Sequence, residues 1–450
     1  MKIVLIGAGK VGKKIAEQLV AERLDVIIVD INAARLNTLA SNQDVMCIQG
    51  NGALYEVQVE AGVADADIVI AATPKDEVNM LCCLLAKKLG AGRCIARVRN
   101  PEYYSQLGYI SDELGLSFAV NPEYLAASEI KRLIMLPEAA QIEAFANERI
   151  ELIIFKISDG SPIIGKSLSE TFKKSKILVC TAERDGEIII PDGSFVPQCG
   201  DKISVTCTHI EAKKFFKKSG FAHGKIHSVM IVGGGRLGFY LASQLSELGF
   251  EVKIIENNYD RCRELSDLLS DVSIINADGT DHNILKEEGI ETVDAFAALT
   301  GIDEENMIMS MYAQSKNVSK IVTKVTRGSY VTMSDTLGLD STVSPKALAA
   351  NNILGYIRAM KNSEKSNNVE TIYKILDDKV EALEFIVRDD APYINKPLST
   401  LKTRKDVIIA SIVRGDMSII PNGDDCIKLG DSIIVVSASK ALNNLSEIFI

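Results

Sequence analysis

Residues 3–12 read Ile3-Val4-Leu5-Ile6-Gly7-Ala8-Gly9-Lys10-Val11-Gly12, and residues 229–238 read Val229-Met230-Ile231-Val232-Gly233-Gly234-Gly235-Arg236-Leu237-Gly238. In each, an apolar run passes straight into a G-x-G-x-x-G turn. Apolar residues at helical spacing follow: Val11, Ile15 and Leu19 in one, Leu237, Leu241 and Leu245 in the other. A buried parallel strand feeding a helix through glycines opens a β-α-β unit.

The two stretches belong to a longer repeat. Gly7 and Gly233 set an offset of 226, and Val26-Ile27-Ile28-Val29-Asp30 keeps it against Val252-Lys253-Ile254-Ile255-Glu256. Asp76-Glu77-Val78-Asn79 matches Asp303-Glu304-Glu305-Asn306 at 227. Arg184-Asp185-Gly186 and Gly200-Asp201 match Arg414-Gly415-Asp416 and Gly430-Asp431 at 230. So slow a drift marks a tandem duplication of a unit of about 225 residues.

Within the first unit, strand-like runs at 26–29, 45–48, 67–72 and 94–98 alternate with helical stretches. The fold class is therefore α/β: two tandem Rossmann-like, doubly wound parallel sheets. A helix from Glu123 to about Leu136 leaves the first sheet, with its counterpart starting near Lys346. Each is followed by a small α+β module with strands expected at 152–157, 177–181, 188–190 and 202–206, then at 382–387, 407–413, 418–420 and 432–436. A module of roughly 70 residues has a marginal core and is expected to pack against a second copy. The divisions expected are 1–120, 121–145 (crossover helix), 146–225, 226–343, 344–368 (crossover helix and linker) and 369–450. The polar run Lys361–Asn368 reads as a loop.

The glycines carry the chemistry. Gly7 and Gly233 would allow the tight turn, Gly9 and Gly235 the approach of a pyrophosphate, and Gly12 and Gly238 the packing of helix on strand. The helix N-terminus, at Lys10-Val11 and Arg236-Leu237, offers N–H groups and a partial positive charge. Asp30 and Glu256, each 18 residues after the last glycine, suit the ribose hydroxyls and disfavour a 2′-phosphate, so NAD(H) is expected over NADP(H). Thr73-Pro74 and Thr300-Gly301 follow the fourth strand, at the edge where such sheets bind ligand. Arg97, with Lys324 in its place in the second copy, suits either a phosphate contact or a solvated strand end, with phosphate preferred. Glu77 and Glu304 suit either a ligand or the helix dipole. Asn51-Gly52 and Asp278-Gly279 suit either a plain turn or a ribose contact.

The rest of the sequence excludes more than it suggests. The 450 residues are 47 % hydrophobic with a net charge of −10, which disfavours a nucleic-acid binder. No apolar run approaches the roughly 20 residues of a membrane span, and a cytosolic chain is expected. Nine scattered cysteines without a C-x-x-C pair, and four histidines without ligand spacing, predict reduced core thiols, the vicinal Cys82-Cys83 included, and no metal site. The lysines at 213, 214, 217, 218 and 225 read as a solvated helix face. No catalytic constellation stands out; His282 aligns with Tyr55, so the two copies share no acid–base group there.

Paired glycine-turn units, each followed by a small module with a Pro-Asp-Gly or Pro-Asn-Gly turn and a Gly-Asp pair, resemble the tandem RCK family of Trk potassium-uptake regulators. The resemblance covers nearly the whole chain, as RCK-N, RCK-C, RCK-N, RCK-C. It implies a homotetrameric cytosolic ring of eight units, peripheral at the inner face of the membrane and docked on a TrkH or TrkG subunit. It also implies that NAD(H) and ATP or ADP bind the sheet domains and bias channel opening. Carried over, the first site is Gly7, Ala8, Gly9, Lys10, Val11, Asp30, Thr73, Pro74 and Arg97. The second is Gly233, Gly234, Gly235, Arg236, Leu237, Glu256 and Glu304. Two other readings stay open: an NAD-dependent oxidoreductase, and a regulatory module of another potassium channel or antiporter.

Overall fold

The computed structural model describes all residues except 147–148, 173–174, 219–225, 340, 364–368, 377–378, 439–441 and 443. The chain opens with β1 (Lys2–Ile6), α1 (Lys10–Ala21), β2 (Asp25–Asp30), α2 (Ala33–Asn42), β3 (Met46–Gln49), α3 (Tyr55–Glu60), β4 (Ile68–Ala71), α4 (Asp76–Leu89), β5 (Arg93–Arg97), α5 (Pro101–Ile110) and β6 (Phe118–Val120). All six strands are parallel, in the order β3-β2-β1-β4-β5-β6. The apolar runs of β1 and β4 are buried almost throughout, as strands covered by helices on both faces must be. Asn32 and Asn100 cap α2 and α5 through their side chains, and Pro101 sits at the first helical position, where its missing N–H costs nothing.

Helix α6 (Pro122–Met135), capped by Asn121, leads to a smaller antiparallel sheet. It comprises β7 (Gln141–Phe145), β8 (Ile150–Lys156), α7 (Leu168–Phe172), β9 (Leu178–Arg184), β10 (Glu187–Ile189) and β11 (Lys202–Cys207), ordered β10-β9-β11-β8-β7. Helix α8 (His209–Lys218) closes the half.

The second half repeats the plan. Strands β12 (Ser228–Val232), β13 (Glu251–Glu256), β14 (Val272–Asn276), β15 (Ala295–Ala298), β16 (Lys320–Lys324) and β17 (Thr342–Val343) alternate with α9 (Arg236–Ser246), α10 (Tyr259–Leu268), α11 (His282–Glu287), α12 (Asp303–Ser315) and α13 (Gly328–Thr336). Helix α14 (Pro345–Ser363) then leads to β18 (Val369–Ile375), β19 (Val380–Ile386), β20 (Val407–Arg414), β21 (Met417–Ile419) and β22 (Ser432–Ser437). The orders are β14-β13-β12-β15-β16-β17 and β18-β19-β22-β20-β21.

The halves are interlocked. Ala126, Ala127, Ile130 and Leu133 of α6 share a core with Leu237, Leu241 and Leu245 of α9 in the other half. Ala349, Ala350, Ile353 and Leu354 of α14 pack in return on Ile15 and Leu19 of α1. Each long helix thus covers the sheet domain it does not follow. The two small sheets meet face to face, with Phe145, Leu152 and Ile154 against Ile375, Ala382 and Val436. This is the pairing that a marginal module core requires.

Four expectations need correction. Residues 141–145, placed with the crossover helix, form β7, because Ile142 and Phe145 are buried against the module core. Lys361–Ser363, read as loop, continue α14; the remainder of that run lies outside the described residues. Cys199 is exposed rather than buried, although Cys82 and Cys83 are core. The sixth strands, β6 and β17, were not anticipated: two or three residues carry too little period to register. Lys213, Lys214 and Lys217 are exposed on α8 beside buried Phe215 and Phe216, as a solvated face; Lys225 lies outside the described residues.

Candidate functional site

The chain leaves β1 through Gly7 at φ +109 and leaves β12 through Gly233 at φ +107, both in the left-handed region that favours glycine. The turn is also crowded. A Cβ on Gly7 would lie 2.9 Å from the Ala72 carbonyl, and one on Gly233 would lie 3.0 Å from that of Leu299. Gly12 and Gly238 press against the same turns: a Cβ there would lie 1.8 Å and 2.2 Å from the carbonyl oxygens of Gly7 and Gly233. Gly9 and Gly235 differ, since a Cβ on either would meet nothing within 4 Å. Neither residue caps its helix through a side chain. Open space thus faces the first turns of α1 and α9, at Lys10-Val11 and Arg236-Leu237, where N–H groups and the helix dipole favour an anion.

The acids hold these loops. Asp30 accepts the Ala8 N–H at 2.6 Å and the Asn32 N–H at 2.8 Å. Glu256 accepts the Gly234 and Asn258 N–H groups, both at 2.8 Å. Each carboxylate oxygen keeps a second lone pair for a ribose hydroxyl.

Thr73 and Arg97 come together at the same edge. The Arg97 guanidinium donates to the Thr73 carbonyl, while Arg99 Nη2 donates to the Pro74 carbonyl at 2.5 Å. Burial, and secondarily the neighbouring Arg99 charge, pull Arg97 down to about 10, so it stays charged at neutral pH. Its Nε is buried with no hydrogen-bond partner among the described residues. In the second half Lys324 donates to the Thr300 carbonyl at 2.9 Å, and burial likewise lowers its pKa.

Two residues were missed as organisers. Asn79 Oδ1 accepts the Thr73 N–H at 2.7 Å while Asn79 Nδ2 donates to the Arg97 carbonyl at 2.8 Å; Asn306 repeats this with Thr300 and Lys324 at 2.9 and 3.0 Å. Both are fully buried. The repeat Asp76–Asn79 against Asp303–Asn306 carried the signal, but as a mark of duplication rather than of a clamp. Glu304 is exposed at the start of α12 and accepts hydrogen bonds from Arg327 and Tyr330 at 2.9 and 2.8 Å; its own backbone N–H, first, lowers its pKa. Glu77 has the same place, with Tyr103 at 3.0 Å. Gly52 and Gly279 are packing glycines, each with a strand-end side chain (Ile6 or Val232) 2.3 Å from where a Cβ would stand. Among the described residues no His, Cys, Asp and Glu cluster has metal-site geometry.

This chain matches the TrkA-N domain over residues 3–122 and 229–345, and the TrkA-C domain over 152–220 and 382–450. The chain belongs to the TrkA family. It is 33 % identical over 449 residues to the Trk system potassium uptake protein TrkA homolog of Archaeoglobus fulgidus, covering 100 % of both chains. It is 31 % identical over 457 residues to the Trk system potassium uptake protein TrkA of Haemophilus influenzae, covering 100 % of this chain and 98 % of the other. Among solved structures, the RCK domain of GsuK aligns with a TM-score of 0.63 at 17 % identity, over 98 % of this chain and 92 % of that one. The GsuK channel bound to NAD aligns with the same TM-score and identity, over 98 % and 77 %. At such identity these neighbours support the fold: TrkA-N sheets in tandem, each followed by a TrkA-C module.

Proposed function

We propose that the chain is the nucleotide-sensing regulatory subunit of a Trk-type potassium uptake system. It takes NAD(H) and ATP or ADP at its two glycine turns and acts by binding rather than by catalysis. It assembles as a homotetrameric ring on the cytoplasmic side of the membrane and biases the gate of a TrkH- or TrkG-type subunit. The observation that carries the reading is the pair of uncapped, open-faced glycine turns, each with a carboxylate and a cation at its edge, Arg97 buried and Lys324 half-buried. The residues fit the ligand: Gly9 and Gly235 leave room for a pyrophosphate, Asp30 and Glu256 face the ribose position, and Arg97 and Lys324 stand by for phosphate. The names of the relatives supply the transport system, and no helix among the described residues is long and apolar enough to cross a membrane.

Each turn lies within electrostatic reach of the other half. The charge of Arg236 acts on Glu77 and Arg97, and that of Lys10 acts on Lys324 and Lys346. A bound nucleotide therefore adds charge at the seam between halves, and ligands that differ in charge favour different seam geometries. A ligand shifts such an equilibrium only by its differential affinity for the two shapes. The test is calorimetric titration of the chain with NADH and with ATP, paired with potassium flux through vesicles carrying the membrane subunit. Binding without NADH consumption, and an Asp30→Ala variant whose flux no longer responds to nucleotide, are expected. Identical flux for variant and parent across all nucleotides would remove the first turn as the switch.

A further inference from the structure

The two seams between the halves are built alike and filled differently. Where α6 meets α9, Tyr240 accepts a hydrogen bond from Asn121 at 2.9 Å and donates to the Arg99 carbonyl at 3.0 Å. Its ring packs edge-on against Tyr124, which touches Tyr104, and Phe239 packs beside Tyr240. At the other seam, where α14 meets α1, the repeat places Lys13 and Lys14 at the positions of Phe239 and Tyr240. Ala347 stands for Tyr124, and Val331 for Tyr104. Four rings are replaced by two small residues and two lysines, and a cavity of about 660 Å³ lies there. That volume suits a small-molecule ligand.

Seven cations line the cavity against three carboxylates, Glu17, Glu129 and Glu143. Lys10, Lys13 and Lys14 occupy the first five residues of α1, where positive charge opposes the helix dipole and neighbours at i+3 and i+4 repel. Lys346 and Arg327 line the opposite wall. Burial first, and then the charges of Lys14 and Lys10, push the Lys346 ammonium down. On the floor, Lys156 and Lys202 are register partners across β8 and β11. Glu129 also lines the cavity; it is 6 % exposed, and its Oε2 is buried with no hydrogen-bond partner among the described residues.

We propose that this cavity is an anion site separate from the glycine turns, taking a small molecule that carries two or more phosphate groups. Lys13, Lys14 and Lys346 supply the charge, and the buried Glu129 carboxyl offers its open Oε2 to the same space. The same phosphates have two sources: a free ligand, or the tail of a nucleotide seated on the first turn. With ATP in place of triphosphate, a free-ligand site still binds over saturating NADH, whereas a site reached only by the tail of a nucleotide on the turn does not, because NADH holds the turn without a terminal phosphate chain.

The probe is inorganic triphosphate, titrated calorimetrically into the full chain with NADH already saturating. Triphosphate is expected to bind in a salt-sensitive manner. The triple change Lys13→Gln, Lys14→Gln and Lys346→Gln should weaken it at least about tenfold while leaving NADH binding intact, which also reports correct folding. Ala347→Tyr, which restores a ring found at the other seam and keeps every charge, should block triphosphate sterically. Competition by NADH, or triphosphate binding indifferent to both variants, would overturn the proposal.

Discussion

The two glycine turns have the same backbone but solve one steric problem in opposite ways. The first pairs Ala8 with the shorter Asp30; the second pairs Gly234 with the longer Glu256. A Cβ on Gly234 would lie 3.1 Å from both Cβ and Cγ of Glu256 and 2.6 Å from a Leu265 methyl. An acid with one more methylene needs a loop residue with one less methyl for its carboxylate to reach the same N–H groups. The second turn is thus a refitted copy, not a decayed one.

The glycines themselves give the largest expected effect. Gly12→Ala drives a methyl into the Gly7 carbonyl, and Gly238→Ala does so slightly less severely. Because backbone faces backbone, neither can yield, and a loss of about 3 kcal/mol or more is expected in urea unfolding. Gly9→Ala and Gly235→Ala meet no atom, so stability should stay within about 0.5 kcal/mol of the parent while nucleotide affinity falls. If Gly9→Ala binds NADH normally, the open space before α1 is not the pyrophosphate seat.

The small modules should respond equally, which tests whether asymmetry is confined to the turns and the seams. Arg184 grips buried Asp201 through Nε and Nη2 at 2.9 and 2.7 Å, and Arg414 grips buried Asp431 at 2.8 Å through both. Removing either arginine strands a buried carboxylate, with an expected cost of about 3 kcal/mol. Thermal melts of Arg184→Ala and Arg414→Ala that differ widely would contradict that equivalence.

A pH-dependent term should belong to the first half alone. Burial, and then mutual repulsion, raise Glu129 towards about 8, and burial raises Glu143 as well. Their second-half counterparts, Asn352 and Tyr373, carry no carboxyl. A carboxyl whose folded pKa is raised binds more protons folded than unfolded. Its contribution is therefore complete below the ordinary carboxylate range and is lost as pH rises towards about 8. A decline on the order of 2 kcal/mol between pH 5 and 8 is expected, flattened by Glu129→Gln combined with Glu143→Gln. An unchanged slope in that variant would place the pH dependence elsewhere.

The sheets, the glycine turns and the duplication were legible because each is local: an apolar run, a spacing, an offset. What sequence could not give depends on contacts between distant segments. Asn79 and Asn306 look like ordinary helix residues until the strand ends they clamp are in place. Arg184-Asp185-Gly186 and Gly200-Asp201 register in the sequence as marks of the repeat, and only folding joins Arg184 to Asp201. The exchange of α6 and α14 between halves leaves no periodic trace, since an apolar helix face does not record which sheet it covers.

The finest test returns to Ala8 and Gly234. Gly234 has no positive φ, so Gly234→Ala is permitted by the backbone and strains only side chains; about 1 kcal/mol is expected. Its larger consequence is expected on binding, because displaced Glu256 loses the Gly234 N–H and, with it, the position proposed to meet a ribose. In the first turn, Asp30→Glu should meet the Ala8 methyl in the same way and weaken NADH, and adding Ala8→Gly should restore it. Calorimetric stoichiometry and affinity read both turns in one titration. Full binding by Asp30→Glu with Ala8 in place would show that loop residue and acid vary independently, and the contrast between the turns would then have another origin.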